Sequence, residues 1–345
     1  MKAMFLTEVG KMEIMDIDQP EPGEGEVLLK MGSVGICGSD VHYFKNGHIG
    51  DDHAVFPQGL GHEPSGVITE TGKGVKASRA GERVTVEPGI GCGTCEFCRS
   101  AHANLCPDVV FLGSPGVQGA YKEYMVIPAE NCFKVSDSIS LGETAMFEPF
   151  GVGVEAASIA CIKPGDSACV LGCGSIGLST MAAARALGVT EVYAVDPLEW
   201  RRQAAADSFC ADHVCDNSRT DVAEWLMDLT GGRGVDIVFE ASGDNKAFTL
   251  TPELAVRGGT VVIIGIPAQD DYIFNAHSAR RKALTFVNCR RFNRKLPAAI
   301  RFAEKGLIDL SKLITHEFSL EDTAQGFELV DGYKDGVIKA VVNIK

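Results

Sequence analysis

Residues 168–171 read as a buried strand that runs without a break into Gly172-Cys173-Gly174-Ser175-Ile176-Gly177, and the alanine-rich stretch 176–187 follows as a helix. A G-x-G-x-x-G turn in that setting leaves few folds open. The first glycine makes the tight turn, the second lets backbone approach a pyrophosphate, and the third lets helix close on strand. Ser175 leads into the helix that Ile176 opens, whose amino end offers N–H groups and a positive dipole to an anion. Asp196, nineteen residues past Gly177, ends a second strand at 192–195. A carboxylate there accepts the adenosine ribose hydroxyls and repels a 2′-phosphate, so NAD is expected over NADP. Arg201 and Arg202 follow, suited to packing over an adenine or to a solvated helix face, and Cys173 is a small spacer in the turn.

Further strands at 235–239 and 260–264 alternate with helical stretches, the pattern of a doubly wound parallel sheet. Residues 1 to about 150 read differently, as short β segments punctuated by glycine and proline. The tail ends in the alternating segment VIKAVVNIK, suited to returning to that first domain. Two domains are the expectation for 345 residues.

Cys92, Cys95, Cys98 and Cys106 fall in C-x2-C-x2-C-x7-C. Four thiolates so spaced fit a tetrahedral zinc with no corner left for substrate, hence a structural ion. Cys132, Cys161, Cys169, Cys210, Cys215 and Cys289 read as small buried apolar residues. A second, sparser set lies in Gly35-Ile36-Cys37-Gly38-Ser39-Asp40-Val41-His42 and Gly61-His62-Glu63. Cys37, His62 and Glu63 make a three-ligand zinc set with an open fourth position. One thiolate and one carboxylate with a neutral imidazole offset the two charges of the ion. Glu148 is expected near it, through water or as a labile ligand, and Asp40 is a natural acceptor for the ring N–H of His62.

These features together, GHE, GICGSDVHYF, the four-cysteine lobe, EPF before GVGVEA and the strand-borne glycine turn, resemble the zinc-containing medium-chain dehydrogenase/reductase family over essentially the whole chain. The likeness is to its polyol branch, the sorbitol and xylitol dehydrogenases, because Glu148 stands where classical alcohol dehydrogenases carry a cysteine. The resemblance implies an α/β architecture: a GroES-like, mostly-β catalytic domain at 1–152 with the structural-zinc lobe at about 90–107, a Rossmann NAD-binding domain at 153–289, and a return to the catalytic domain at 290–345. It implies two zinc ions per chain, NAD, a polyol substrate and a homotetramer or dimer. It also implies a proton path through Ser39 and His42, a metal-side carboxylate at Glu148, and substrate contacts from Tyr43 and Arg290. Where the family reads Arg-Tyr, this chain has Arg290-Arg291. A pocket-facing Arg291 would favour a carboxylate- or phosphate-bearing substrate. A solvated one leaves an uncharged polyol, the commoner fate of arginines in charge runs.

The net charge of −14 speaks against nucleic acid. No apolar run is long enough for a bilayer and the amino terminus lacks the core of a secretory signal, so a cytoplasmic protein with reduced thiols is expected. Other dehydrogenase substrates (a vicinal diol, threonine, a sugar acid or sugar phosphate) fit the same residues. A non-catalytic zinc and dinucleotide-binding protein would not need Ser39 beside an intact ligand set.

Overall fold

In the computed structural model, which describes residues 1–267 and 271–344, the chain divides by contact into two compact units, Met1–Glu148 with Leu310–Lys345, and Pro149–Asp309. The limits expected from sequence ran at 152/153 and 289/290. The segment 290–309 goes with the second unit, where Asn293 N donates to Glu155 Oε2 at 3.3 Å and the helix Leu296–Glu304 buries Leu296 and Ala299.

The first unit is built on a seven-stranded sheet. Its centre is the ten-residue strand Glu26–Gly35, paired antiparallel to Glu63–Thr71 on one side and to the C-terminal strand Lys339–Asn343 on the other. The VIKAVVNIK tail therefore does return. It also runs parallel to Ile314–Ser319. The core of this unit gathers Leu6, Leu29, Val34, Ile36, Leu60, Val84, Tyr121 and Phe327, all at most 1% exposed.

The second unit carries a six-stranded parallel sheet. In spatial order the strands are His213–Cys215, Glu191–Val195, Ser167–Leu171, Val235–Glu240, Ala255–Ile263 and Thr285–Asn288. After Ser167–Leu171 the chain winds outward through two strands, then crosses back to lay Val235–Glu240 on its other side. That reversal is the topological switch point of a doubly wound sheet. The two edge strands were not foreseen: they are three and four residues long and only partly buried, too short for a periodicity signal.

Cys161 and Cys210 correct the reading of the spare cysteines. Both are exposed, with φ of +55° and +63°, just past the helices Phe147–Ile159 and Glu199–Ser208. They occupy the left-handed position after a helix that glycine usually fills.

Candidate metal and dinucleotide sites

Glu63 opens its strand opposite Gly35 of the central strand, and Gly35 in turn pairs with Val341. Gly35 has no side chain to occupy the space above the sheet. A Cβ built there would lie 1.9 Å from Glu63 Oε2. The Glu63 carboxylate thus reaches across the central strand to Lys339, whose Nζ donates to Oε1 at 2.7 Å, to Oε2 at 2.9 Å and to the Ile36 carbonyl at 3.1 Å. Glu63 is 0% and Lys339 2% exposed. Burial works against the charge on Lys339, but Glu63 and Cys37 outweigh it and hold the ammonium above its usual pKa. Sequence reasoning missed Lys339. Its one signal was a lysine inside an otherwise apolar alternating strand.

Cys37 caps the helix Gly38–Asn46, and its backbone amide donates to Asp40 Oδ2 at 3.3 Å. The other Asp40 oxygen accepts from Gly61 N at 3.2 Å and stands 3.3 Å from His62 Nδ1. This buried carboxylate orients the imidazole so that Nε2 is the nitrogen left for an ion. Burial disfavours protonated His62, yet Asp40 and Cys37 overcome it and raise its pKa well above the histidine range. The donor atoms of Cys37, His62 and Glu63 all lie within 4.8 Å of one another, a soft, a borderline and a hard ligand that suit zinc. Ser39 Oγ donates to Cys37 Sγ at 3.3 Å.

Glu148, in the first turn of Phe147–Ile159, stands outside that three-donor group. It is 5% exposed. Burial pushes its carboxyl up to about 8, and it feels the charges of His62, Glu63 and Lys339. His42 is half-buried, and burial with the nearby Lys45 lowers its pKa. Tyr43 packs in the core of the first unit at 7% exposure. Arg290 is exposed and Arg291 half-buried with φ +56°, both in the second unit.

The four-cysteine lobe forms a second donor group within the same limit. Its backbone turns by N–H to sulfur bonds: Cys92 Sγ accepts from Cys95 N, Cys95 Sγ from Cys98 N, and Cys106 Sγ from Cys92 N, each at 3.4 Å. The amide and hydroxyl of Thr94 draw the Cys92 thiol down to about 6. Burial pushes the Cys98 thiol the other way, up to about 12.

In the second unit the glycine turn follows the strand as read, with the helix at Ser175–Ala186. A Cβ on Gly177 would sit 1.8 Å from the Gly172 carbonyl, so only glycine lets the helix close there. Gly174 caps the helix with no side-chain bond to its first amides. An uncapped helix end suits a pyrophosphate. Asp196, 3% exposed, accepts from Cys173 N at 2.8 Å and Leu198 N at 2.9 Å, which ties the acid to the turn. Arg201 lies alongside, its Nη1 3.9 Å from Asp196 Oδ2 and 3.7 Å from a Cβ position on Gly174.

Comparison with known proteins agrees with both halves. Residues 23–137 match the alcohol dehydrogenase GroES-like domain and residues 175–305 the zinc-binding dehydrogenase domain. The chain is 36% identical to sorbitol dehydrogenase of Bacillus subtilis (strain 168) over 99% of this chain and 97% of that one. It is 35% identical to D-xylulose reductase of Morganella morganii over 95% and 97%. A solved structure described as an alcohol dehydrogenase from Escherichia coli CFT073, complexed with NADH, superposes with a TM-score of 0.91 at 28% identity, covering 99% of this chain and 98% of that chain. With its two donor groups, its strand-borne glycine turn and relatives matched end to end, the chain belongs to the zinc-containing medium-chain dehydrogenases, in their polyol dehydrogenase branch.

Proposed function

We propose that the protein oxidises a secondary alcohol of a sorbitol- or xylitol-like polyol to the ketose, with NAD as hydride acceptor. The observation that carries this is the three-donor group of Cys37, His62 and Glu63 with the Ser39 hydroxyl against it, in a chain whose second unit has the dinucleotide turn. Held by that group, zinc supplies the Lewis acidity that lowers an alcohol's pKa, while NAD takes the hydride. Ser39 Oγ takes the substrate's hydroxyl proton as it gives up its own to the relay. His42, three residues on and so on the same helix face, passes it toward solvent. Glu148 holds a water beside the donor group, and Tyr43 and Arg290 are the substrate contacts. Cys92, Cys95, Cys98 and Cys106 hold the structural ion.

His42 accepts a proton only when neutral. Because its pKa is lowered, kcat/KM should hold its plateau to more acidic pH than an ordinary histidine allows. A His42→Gln variant should lose that acid limb, read from pH–rate profiles.

The deciding experiment is a panel of sorbitol, xylitol, butanediol, threonine, aldonates and sugar phosphates with NAD and NADP, followed at the reduced-nicotinamide absorbance before and after chelation. Polyol turnover with NAD that chelation abolishes supports the reading, and inactivity on every alcohol overturns it. Like charge at Asp196 should favour NAD by about 100-fold in kcat/KM, roughly 2.7 kcal/mol. The aldonate and phosphate arms test whether Arg291 recruits an oxyanion.

A homotetramer in the cytoplasm completes the reading. Among the described residues the last sheet strand, Thr285–Asn288, pairs on one side only, and Ile273 is 76% exposed, features suited to a second copy. Sedimentation velocity checks the assembly. The acidic balance and cysteines left unpaired fit a small-molecule enzyme in a reducing compartment.

A further inference from the structure

Glu240 is a carboxylate that no step above uses. It ends the strand Val235–Glu240 at the switch point and is 0% exposed. Its Oε1 accepts from Ser242 N at 2.8 Å, Ser242 Oγ at 2.5 Å and Gly243 N at 3.0 Å, folding the chain into a turn directly after the strand. Its Oε2 is buried with no hydrogen-bond partner among the described residues. Burial raises the pKa of this acid.

The turn that Glu240 folds touches the ends of two neighbouring strands at the carboxyl edge of the sheet. Ala241 N donates to the Leu171 carbonyl at 2.9 Å, and a Cβ on Gly172 would lie 2.9 Å from the Ser242 backbone. On the far side, a Cβ on Gly243 would lie 2.3 Å from the Ile266 carbonyl, and one on Gly265 would lie 2.7 Å from Glu240 Oε2. The turn is therefore wedged between the dinucleotide loop and the end of Ala255–Ile263. In a doubly wound sheet the dinucleotide straddles the switch point. Asp196 marks the adenosine side, so the 241–243 turn walls the other half.

We propose that Glu240 is a positioning residue for the nicotinamide half of the dinucleotide: its carboxyl sets the Ala241–Gly243 turn, which shapes that half of the crevice, without touching the cofactor. The inference rests on the second unit binding NAD. Glu240→Gln keeps the Oε1 acceptor, Glu240→Ala removes it, and Ser242→Ala removes one of its three donors together with the Oγ that accepts from Asp244 N at 3.1 Å. NADH and 5′-AMP affinities are measured by fluorescence titration and competition on the zinc-loaded enzyme, with Tm alongside. NADH Kd should rise at least tenfold in Glu240→Ala and about threefold in Ser242→Ala, and stay within about twofold in Glu240→Gln, with AMP affinity unchanged throughout. An unchanged NADH Kd in Glu240→Ala overturns the proposal. So does parallel loss of AMP and NADH binding, the mark of general damage to the sheet. Should Glu240→Ala not fold, an unchanged Kd in Ser242→Ala decides against it. Wild-type protein that binds no NADH would refute the cofactor assignment itself.

Discussion

Lys339→Met should destabilise the metal-free protein by about 3–5 kcal/mol, the usual consequence of stripping one partner from a buried ion pair. Glu63 would then be a carboxylate at 0% exposure with both oxygens deprived of their donor. The loss should shrink when zinc is loaded, because the ion offers a second positive charge to the same oxygens. Urea unfolding with and without chelator measures the difference. The double variant Lys339→Met with Glu63→Gln should recover most of the stability, since neither partner is then an unpaired charge. Equal destabilisation in the presence and absence of zinc would show that Glu63 and the ion do not share the site.

Cys37→Ser is expected to lower kcat by roughly 1,000-fold, three factors of ten for the several kcal/mol of charge stabilisation that a Lewis acid supplies. Zinc content should fall from two ions per chain to one while Tm changes little, because Cys37 is a half-buried helix cap, a position that serine also fills well. Cys95→Ser is the contrasting variant. It removes a member of the closed group that folds the 92–106 loop, so its effect should appear in stability and assembly. Full turnover in Cys37→Ser, or selective loss of turnover in a stable Cys95→Ser protein, would reverse the two roles.

The parts of this molecule legible in sequence are those whose constraint is local. The glycine turn, its strand and its helix announce themselves because three glycines at fixed spacing answer to one backbone geometry, and the four cysteines because a tetrahedral group of thiolates needs a short loop. The His62–Asp40 contact was readable too, through the chemistry a ligating imidazole requires. What escaped depends on strands distant in sequence being brought side by side. Lys339 reaches Glu63 across 276 residues of chain, and Gly35 matters only because that ammonium lies beyond it. Glu240 escaped for a similar reason: one acid before a serine-glycine pair looks like any turn until the strand order sets it at the reversal. The exposed cysteines at 161 and 210 show the converse error, a residue's average preference outvoted by its place after a helix.

The join between Glu63 and Lys339 sets an order of events during synthesis. A ribosome that has released only the first 150 residues has delivered Cys37, His62 and Glu63, but the cation that neutralises Glu63 emerges after the whole nucleotide-binding unit. Until then Glu63 lacks the ammonium that donates to both of its oxygens in the folded protein. Loss of even the last seven residues would leave every proposed zinc ligand in the chain and the pocket without its permanent countercharge.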